Sequence, residues 1–198
     1  MQSQELINRL GERVEDPDNV SFDDTLKINV LNIALDQMIS LLDKTYFPAL
    51  EGEVTNQSSS SGALAYSSLT NFTGDSQDIR KVQIYNGDWC EIIDFEKDID
   101  DLNNAYTAPS SAYPKAYLRE SKIVISGTTS NINVYYYKTA TALANDSTAY
   151  PHPLFTENIL LDLAEAELWK QDNKLDRSNV AYSRAIDQIN VANQRVQW

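Results

Sequence analysis

Apolar residues recur at helical spacing near both ends of the chain and alternate in its middle. Leu6, Ile7, Leu10 and Val14 form one stripe of a short amphipathic helix, with Ser3 placed to cap it. Pro17 in "VEDPDNV" breaks that helix in a plain turn. Ser21, with Asp24 three residues on, opens a longer helix from about Phe22 to Asp43. Leu26, Val30, Ile33 and Met38 mark one stripe of it; Ile28, Leu31, Leu35, Ile39 and Leu42 mark a second. Apolar residues on two faces predict burial from two sides, inside a bundle or against a neighbouring subunit. At about 1.5 Å per residue the helix is ~33 Å long, and Pro48 closes the region.

The middle of the chain changes period. Residues 55–78 are rich in Ser, Thr, Asn and Gly with little periodicity, which reads as an extended loop or a partly ordered arm. Val82 and Ile84 alternate up to Asn86-Gly87, a type I′ hairpin pair, and "DWCEII" returns. "FEKDIDDLNNAY" spaces Phe95, Ile99 and Leu102 as one or two helical turns. "AYPKAYLRESKIVISG" reads as a second hairpin turning near Glu120-Ser121, and "INVYYYK" as an alternating strand that completes a small antiparallel sheet. Leu154 to Trp169 is densely apolar. After "KQDNKLDRS", Tyr182, Ala185, Ile186, Ile189, Ala192 and Val196 mark a last helix, antiparallel to its predecessor. The expected fold is α+β, mainly α. In it, N- and C-terminal helices (1–48 and 150–198) form a helical bundle, and a small antiparallel β-sheet insertion (49–149) carries the polar arm at 55–78.

Composition narrows the class. The 198 residues carry a formal net charge of −13. Residues 1–46 hold nine acids against four bases and residues 74–106 nine against three, while 107–153 hold four bases against two acids. Clustered Lys and Arg, the footprint of a nucleic-acid binder, are missing from this pattern. No run approaches a membrane span, and the opening "MQSQELINRL" has no basic region before an apolar stretch, so neither a membrane segment nor a signal peptide is expected. A single cysteine, Cys90, leaves no intramolecular disulfide and no cysteine-based zinc site, and fits folding in a reducing cytoplasm.

Candidates for chemistry are few. His152, the one histidine, lies in Pro151-His152-Pro153 with no orienting motif, and reads as a structural residue. Cys90, beside Trp89 in a strand, reads as a small buried hydrophobe. "DFEKDIDD" at 94–101 invites a calcium loop but has Ile99 where the motif needs Gly and Ala105 where it needs Glu, so a solvated acidic face is expected. The six glycines form no phosphate loop. Asn71-Phe72-Thr73 and Asn145-Asp146-Ser147 match the glycosylation triplet by chance. Strand alternation puts Tyr135 and Tyr137 on one face and Tyr136 on the other. The pair could be exposed contact aromatics, for a glycan with Trp89, or a rim beside one core ring. No catalytic residue, metal site or cofactor is expected.

The order of parts resembles a known family. "ELINRLGERV", a polar turn and "SFDDTLKINVLNIALDQMISLL" resemble the start of podovirus-type head–tail adaptor proteins of tailed phages. "SKIVISG" through "INVYYYKTATALANDSTAYPHPLFTENILLDLAEAELWKQ" is similar to that family's strands, proline lead-in and alanine-rich helix. "NVAYSRAIDQINVANQ" resembles its terminal helix. The acidic, Asn/Ser/Tyr-rich composition suits a ring protein of a crAss-like phage. The resemblance implies a virion protein assembled in the host cytoplasm into a ring, a dodecamer, at the head–tail junction. Such a ring binds the portal and further tail or ring proteins, extends the DNA channel without specific DNA binding, and gives the tail its platform. On this reading Leu31, Leu35 and Ile39 of the long helix and Ile189, Val196 and Trp198 of the last one are the subunit and portal interface. The alternative is a carbohydrate- or surface-binding module using the tyrosines.

Overall fold

The structure, a computed structural model, describes residues 2–58, 62–93, 108–110, 112–126, 131–144 and 149–196. The chain divides into two compact units, Met1–Ala49 with Ala140–Trp198, and Leu50–Thr139.

The first unit holds helices α1 (Ser3–Arg13), α2 (Asp24–Leu41), α3 (Phe155–Gln171) and α4 (Leu175–Val196). Helix α3 packs against each of the other three, and it is exposed only in its first and last turns, at Phe155, Asn158, Lys170 and Gln171. Ile159, Leu160, Leu161, Leu163, Ala164, Leu168 and Trp169 point in every direction around it and are all buried. A helix apolar all round is a central helix. Glu157 and Asp162 on it are buried and Glu165 is half-buried. Arginines of its neighbours reach all three, although Glu157 Oε1 has no hydrogen-bond partner among the described residues. Asp162 accepts from Arg13 at 2.6 Å and from Gln188 at 2.6 Å, with Arg184 at 3.2 Å. Arg9 reaches Glu157 at 3.4 Å, and Arg184 reaches Glu165 at 2.6 Å.

The turn between α1 and α2 is built around a buried lysine. Lys27 is 1% exposed and donates to the Asp16 carbonyl at 2.8 Å and to Asn19 Oδ1. The Asp16 carboxylate lies 3.7 Å from the ammonium and accepts the N–H groups of Val20, Ser21 and Phe22. Burial works against its charge, but the three N–H bonds and Lys27 outweigh that and hold the carboxyl below the ordinary range. Gly11 is part of this arrangement: a Cβ there would lie 2.9 Å from the Lys27 ammonium nitrogen. Helix α2 is capped by Asp23, which accepts from the Leu26 N–H at 2.7 Å, rather than by Ser21. Gln2, not Ser3, precedes the first turn of α1, and Ser3 is buried.

The second unit is one seven-stranded sheet, nearly closed and barrel-like. Its strands are β1 (Glu51–Gln57), β2 (Ala63–Ala65), β3 (Ile79–Ile84), β4 (Trp89–Ile93), β5 (Lys115–Arg119), β6 (Lys122–Ser126) and β7 (Ile132–Tyr137). The order is β1-β7-β3-β4-β5-β6-β2. All pairings are antiparallel except β4–β5, which is parallel. Leu64, Val82, Cys90, Ala116, Ile123, Ile132, Val134 and Tyr136 share its core. Gly52 on β1 makes room for that packing, since a Cβ there would meet the Tyr136 ring at 2.8 Å.

This architecture overturns the expected fold class. The protein is not a mainly α bundle with a small antiparallel insertion, because the β unit is a seven-stranded mixed sheet beside four described helices. Two causes are physical. Strands β1 and β2 lie at the edges of the sheet order, β1 is mostly polar and β2 only three residues long, and neither shows a clean apolar–polar alternation in sequence. The parallel β4–β5 pair needs a long crossover, which leaves no hairpin signal in the sequence. The stretch at 55–78 contributes the end of β1 and all of β2, with Leu64 and Leu69 in the core. The helical turns expected at 95–106 and the acidic run at 94–101 lie outside the described residues.

The two hairpin turns exchange expectations. Asn86 has φ 57°, but Gly87 does not share the left-handed region, and Tyr85–Asp88 form a four-residue loop closed by Ile84 N–H to Asp88 at 3.0 Å. Glu120 (φ 52°) and Ser121 (φ 57°) both sit in the left-handed region, as a two-residue type I′ turn requires. Neither residue type favours that conformation, at a cost of about 1–2 kcal/mol each.

Two outcomes follow for stability. Glu120→Asn with Ser121→Gly should raise the urea midpoint by an amount equivalent to about 1–2 kcal/mol, and an unchanged midpoint would mean that the turn is unstrained. Asp162→Ala leaves Arg13 and Gln188 without their acceptor and should lower stability by about 2–3 kcal/mol in the same titration.

Candidate functional site

His152 is 7% exposed, in the helical unit. The backbone that places it is rigid on both sides: Pro151 and Pro153 flank it, and Thr156, in the first turn of α3, bonds the Pro153 carbonyl through both its N–H and its hydroxyl. The imidazole sits edge-on to Phe47 and to Tyr150, with ring centroids 5.2 Å away in each case. Tyr150 in turn shares a 2.8 Å hydrogen bond with Thr156. Neither ring nitrogen of His152 has a hydrogen-bond partner among the described residues. Burial lowers its pKa, so the neutral ring is what the core holds. A general base needs access to a substrate proton, and this ring is instead packing for the lead-in to α3.

Cys90 lies in the sheet core, and burial pushes its thiol up to about 11, far from a reactive thiolate. Among the described residues, no group of three or more His, Cys, Asp or Glu is arranged to hold a metal ion. No described helix is long and apolar enough to cross a membrane.

The tyrosines separate by strand position. Tyr136 is a core ring, Tyr137 is 8% exposed, and Tyr135 is half-buried. A register shift between Ile79 and Lys81 marks a bulge at Arg80 in β3, and both Arg80 and Lys81 are exposed. Arg80 pairs with Glu51 and lies over the Tyr137 ring at 5.0 Å. Lys81 lies over Trp89 at 5.4 Å, and Trp89, 52% exposed, tilts against Tyr135. Trp89 is thus the aromatic of this cluster open to a ligand; Tyr137 is covered.

The expected interface residues fare unequally. Leu31, Leu35 and Ile189 are in the chain's own core at 0%, 1% and 3% exposure, which corrects their assignment to a contact surface: a side chain enclosed by its own fold has no area left for a partner. Ile39 is half-buried, Val196 is 38% exposed, and Trp198 lies outside the described residues. The open apolar side chains of the helices are others. Ile33 on α2 is 45% exposed, and Phe155 and Val191 are 43% and 51% exposed. Phe155 and Val191 line a groove of about 560 Å³ with Tyr46, Ile159, Ala192 and Arg195. Tyr46 closes one wall, bonding the Ala192 carbonyl at 2.7 Å and standing edge-on to Phe155 at 5.0 Å. Three segments distant in sequence build this groove. The signal that could have found it is the pair Phe155 and Val191, apolar letters that stand outside the buried stripes of their helices.

Comparison with protein-family models gives no match, and comparison with curated proteins gives none either.

The buried neutral histidine sets a pH response. The unfolded chain binds a proton at His152 near pH 6.5 and the folded chain only at lower pH, so stability should fall as pH drops below about 6.5. His152→Phe should remove that part of the pH dependence in thermal melts while leaving the steeper carboxylate losses near pH 4 and below. A variant with an unaltered slope between pH 6.5 and 5 would show that His152 titrates freely.

Proposed function

We propose that the protein is a structural subunit of a ring at the head–tail junction of a tailed phage, seated between portal and tail. The observation that carries this reading is the apolar groove at Tyr46, Phe155 and Val191. An open apolar surface of this kind suits contact with another protein, and it lies in a chain whose histidine and cysteine are closed into packing. The class-by-class resemblance of the sequence to podovirus-type adaptors supports the same reading. A net charge of −13 suits a channel wall past which DNA slides without phosphate contacts. In this reading the ring extends the channel, offers the tail its platform, and exists in the virion.

A second reading, glycan binding on the β unit, has one observation in its favour: Trp89 is exposed beside Tyr135 and Lys81. Electron microscopy and native mass measurement of the purified protein, with and without its portal, separate the two. Closed rings, on the portal or at high concentration, are expected; a monomer that neither assembles nor binds a portal, yet binds glycans on an array, would reject the ring.

A further inference from the structure

The ring reading leaves open which surfaces meet, and this inference rests on that reading. We propose that the groove at Phe155 and Val191 receives the outer face of α2 from a second copy of this chain, with Ile33 of that copy as the inserted residue. Apolar area alone would not choose the occupant; the charges around it do.

Arg195 lies four residues beyond Val191 on α4, and Asp187 four residues before it, so both border the groove on the flank of Val191. On the outer face of α2, Asp36 follows Ile33 by three residues, and Asn29 precedes it by four, and both are exposed. When the two helices run in the same direction with Ile33 against Val191, Asp36 comes to Arg195 and Asn29 to Asp187. The first is an ion pair and the second a hydrogen bond from an amide to a carboxylate. Running in opposite directions, the same apolar contact would set Asp36 against Asp187, two like charges at a closing interface. Charge therefore selects both the occupant and its direction. Among the described residues, Arg195 and Asp36 have no ion-pair partner within their own chain, whereas Arg9, Arg13 and Arg184 are engaged with α3.

Among the four described helices, α4 is also the one where copies of an acidic chain repel least. It carries three arginines and two aspartates, against the chain's −13. The α2 face and the groove are different surfaces of one subunit, so the contact is heterologous. It repeats from copy to copy and closes into a ring when the rotation allows.

Two measurements test this on the full chain. In the first, Ile33→Cys and Val191→Cys are combined in one protein, and disulfide formation is followed at high concentration or on the portal. A ladder of dimers, trimers and larger species is expected. Dimers alone, or a dimer from Val191→Cys by itself, would mean groove-to-groove packing and overturn the proposal. In the second, Asp36→Arg and Arg195→Asp are compared singly and together by native mass. Each single reversal should weaken self-association about tenfold, and the double reversal should restore it. Rings that form without the ladder and ignore both reversals would reject this contact and leave the ring reading standing. No assembly of the unaltered protein, with or without portal, together with no ladder, would reject both. Binding of the groove to portal protein in place of a second copy would appear as cross-links from Val191→Cys to the portal and would overturn the proposal.

Discussion

The helical unit is organised by a demand that α3 makes on its neighbours. A helix enclosed along most of its length buries most of what it carries, and α3 carries Glu157, Asp162 and Glu165 along with its apolar residues. Leaving a charge buried without a partner costs several kcal/mol, whereas a carboxylate bonded on both oxygens is tolerated. Asp162 meets that condition with Arg13 and Arg184 on one oxygen and Gln188 on the other. The donors come in pairs one helical turn apart, Arg9 with Arg13 on α1 and Arg184 with Gln188 on α4. Sliding either helix by one turn along α3 would break more than one bond at once. The two ends of the chain are thereby held in register on a helix that belongs to neither, and the apolar contacts around it follow the same register.

The same logic, with the sign reversed, shapes the α1–α2 turn. Lys27 lies on the buried side of α2 among Val30, Leu31 and Ala34, where an amphipathic reading expects an apolar residue. Its ammonium is satisfied by the Asp16 carbonyl, Asn19 and the Asp16 carboxylate, and Gly11 gives it space. A stretch that reads as a plain polar turn is in fact shaped around one buried cation. When apolar letters alone are counted on α2, the axis of the buried face is misplaced. Two apolar stripes are then read, and Leu31 and Leu35 fall on the one offered to a partner subunit, with Ile33 on the other. In the structure Leu31 and Leu35 share one buried face with Val30 and Met38 while Ile33 is exposed: a lysine that reaches back into the fold marks the buried face as well as a leucine does.

Periodicity made the helices legible, and it made legible those strands that alternate. Val82, Ile123 and Ile125, and Ile132 and Val134 enter the sheet core as their spacing predicts, with Ile84 half-buried against it. What it missed was structure held by partners distant in sequence. Strand β1 pairs with β7 through Glu51–Tyr137 and Val54–Val134, and has little apolar pattern of its own because its other edge has no neighbour in the sheet order. Strand β2 is three residues whose single core contribution is Leu64. The parallel pair β4–β5 brings Glu91 to Lys115 across a crossover, a relation that no local pattern records. The same limit applies to the site. The Pro151-His152-Pro153 joint could be read as structural from its two prolines, because they act locally. The groove has only a faint local signal, in Phe155 and Val191, because Tyr46, beyond the end of α2, meets them only when the helices have packed.

These two kinds of constraint bear on function together. A chain this acidic has few cations, and the helical unit draws several of its arginines inward or along α3 to neutralise the helix it is built on. Charge left over at the surface is then a matter of position, and a residue such as Arg195, beside an apolar groove, acquires weight that its letter alone does not carry. In a strongly negative chain, a partner surface of the same chain is compatible only where such a cation can meet an acid and where the remaining contact is apolar. The groove at the end of α4 meets the first condition through Arg195 and the second through Phe155 and Val191. The internal pairing that fixes the helices thus also determines which arginines are left at the surface.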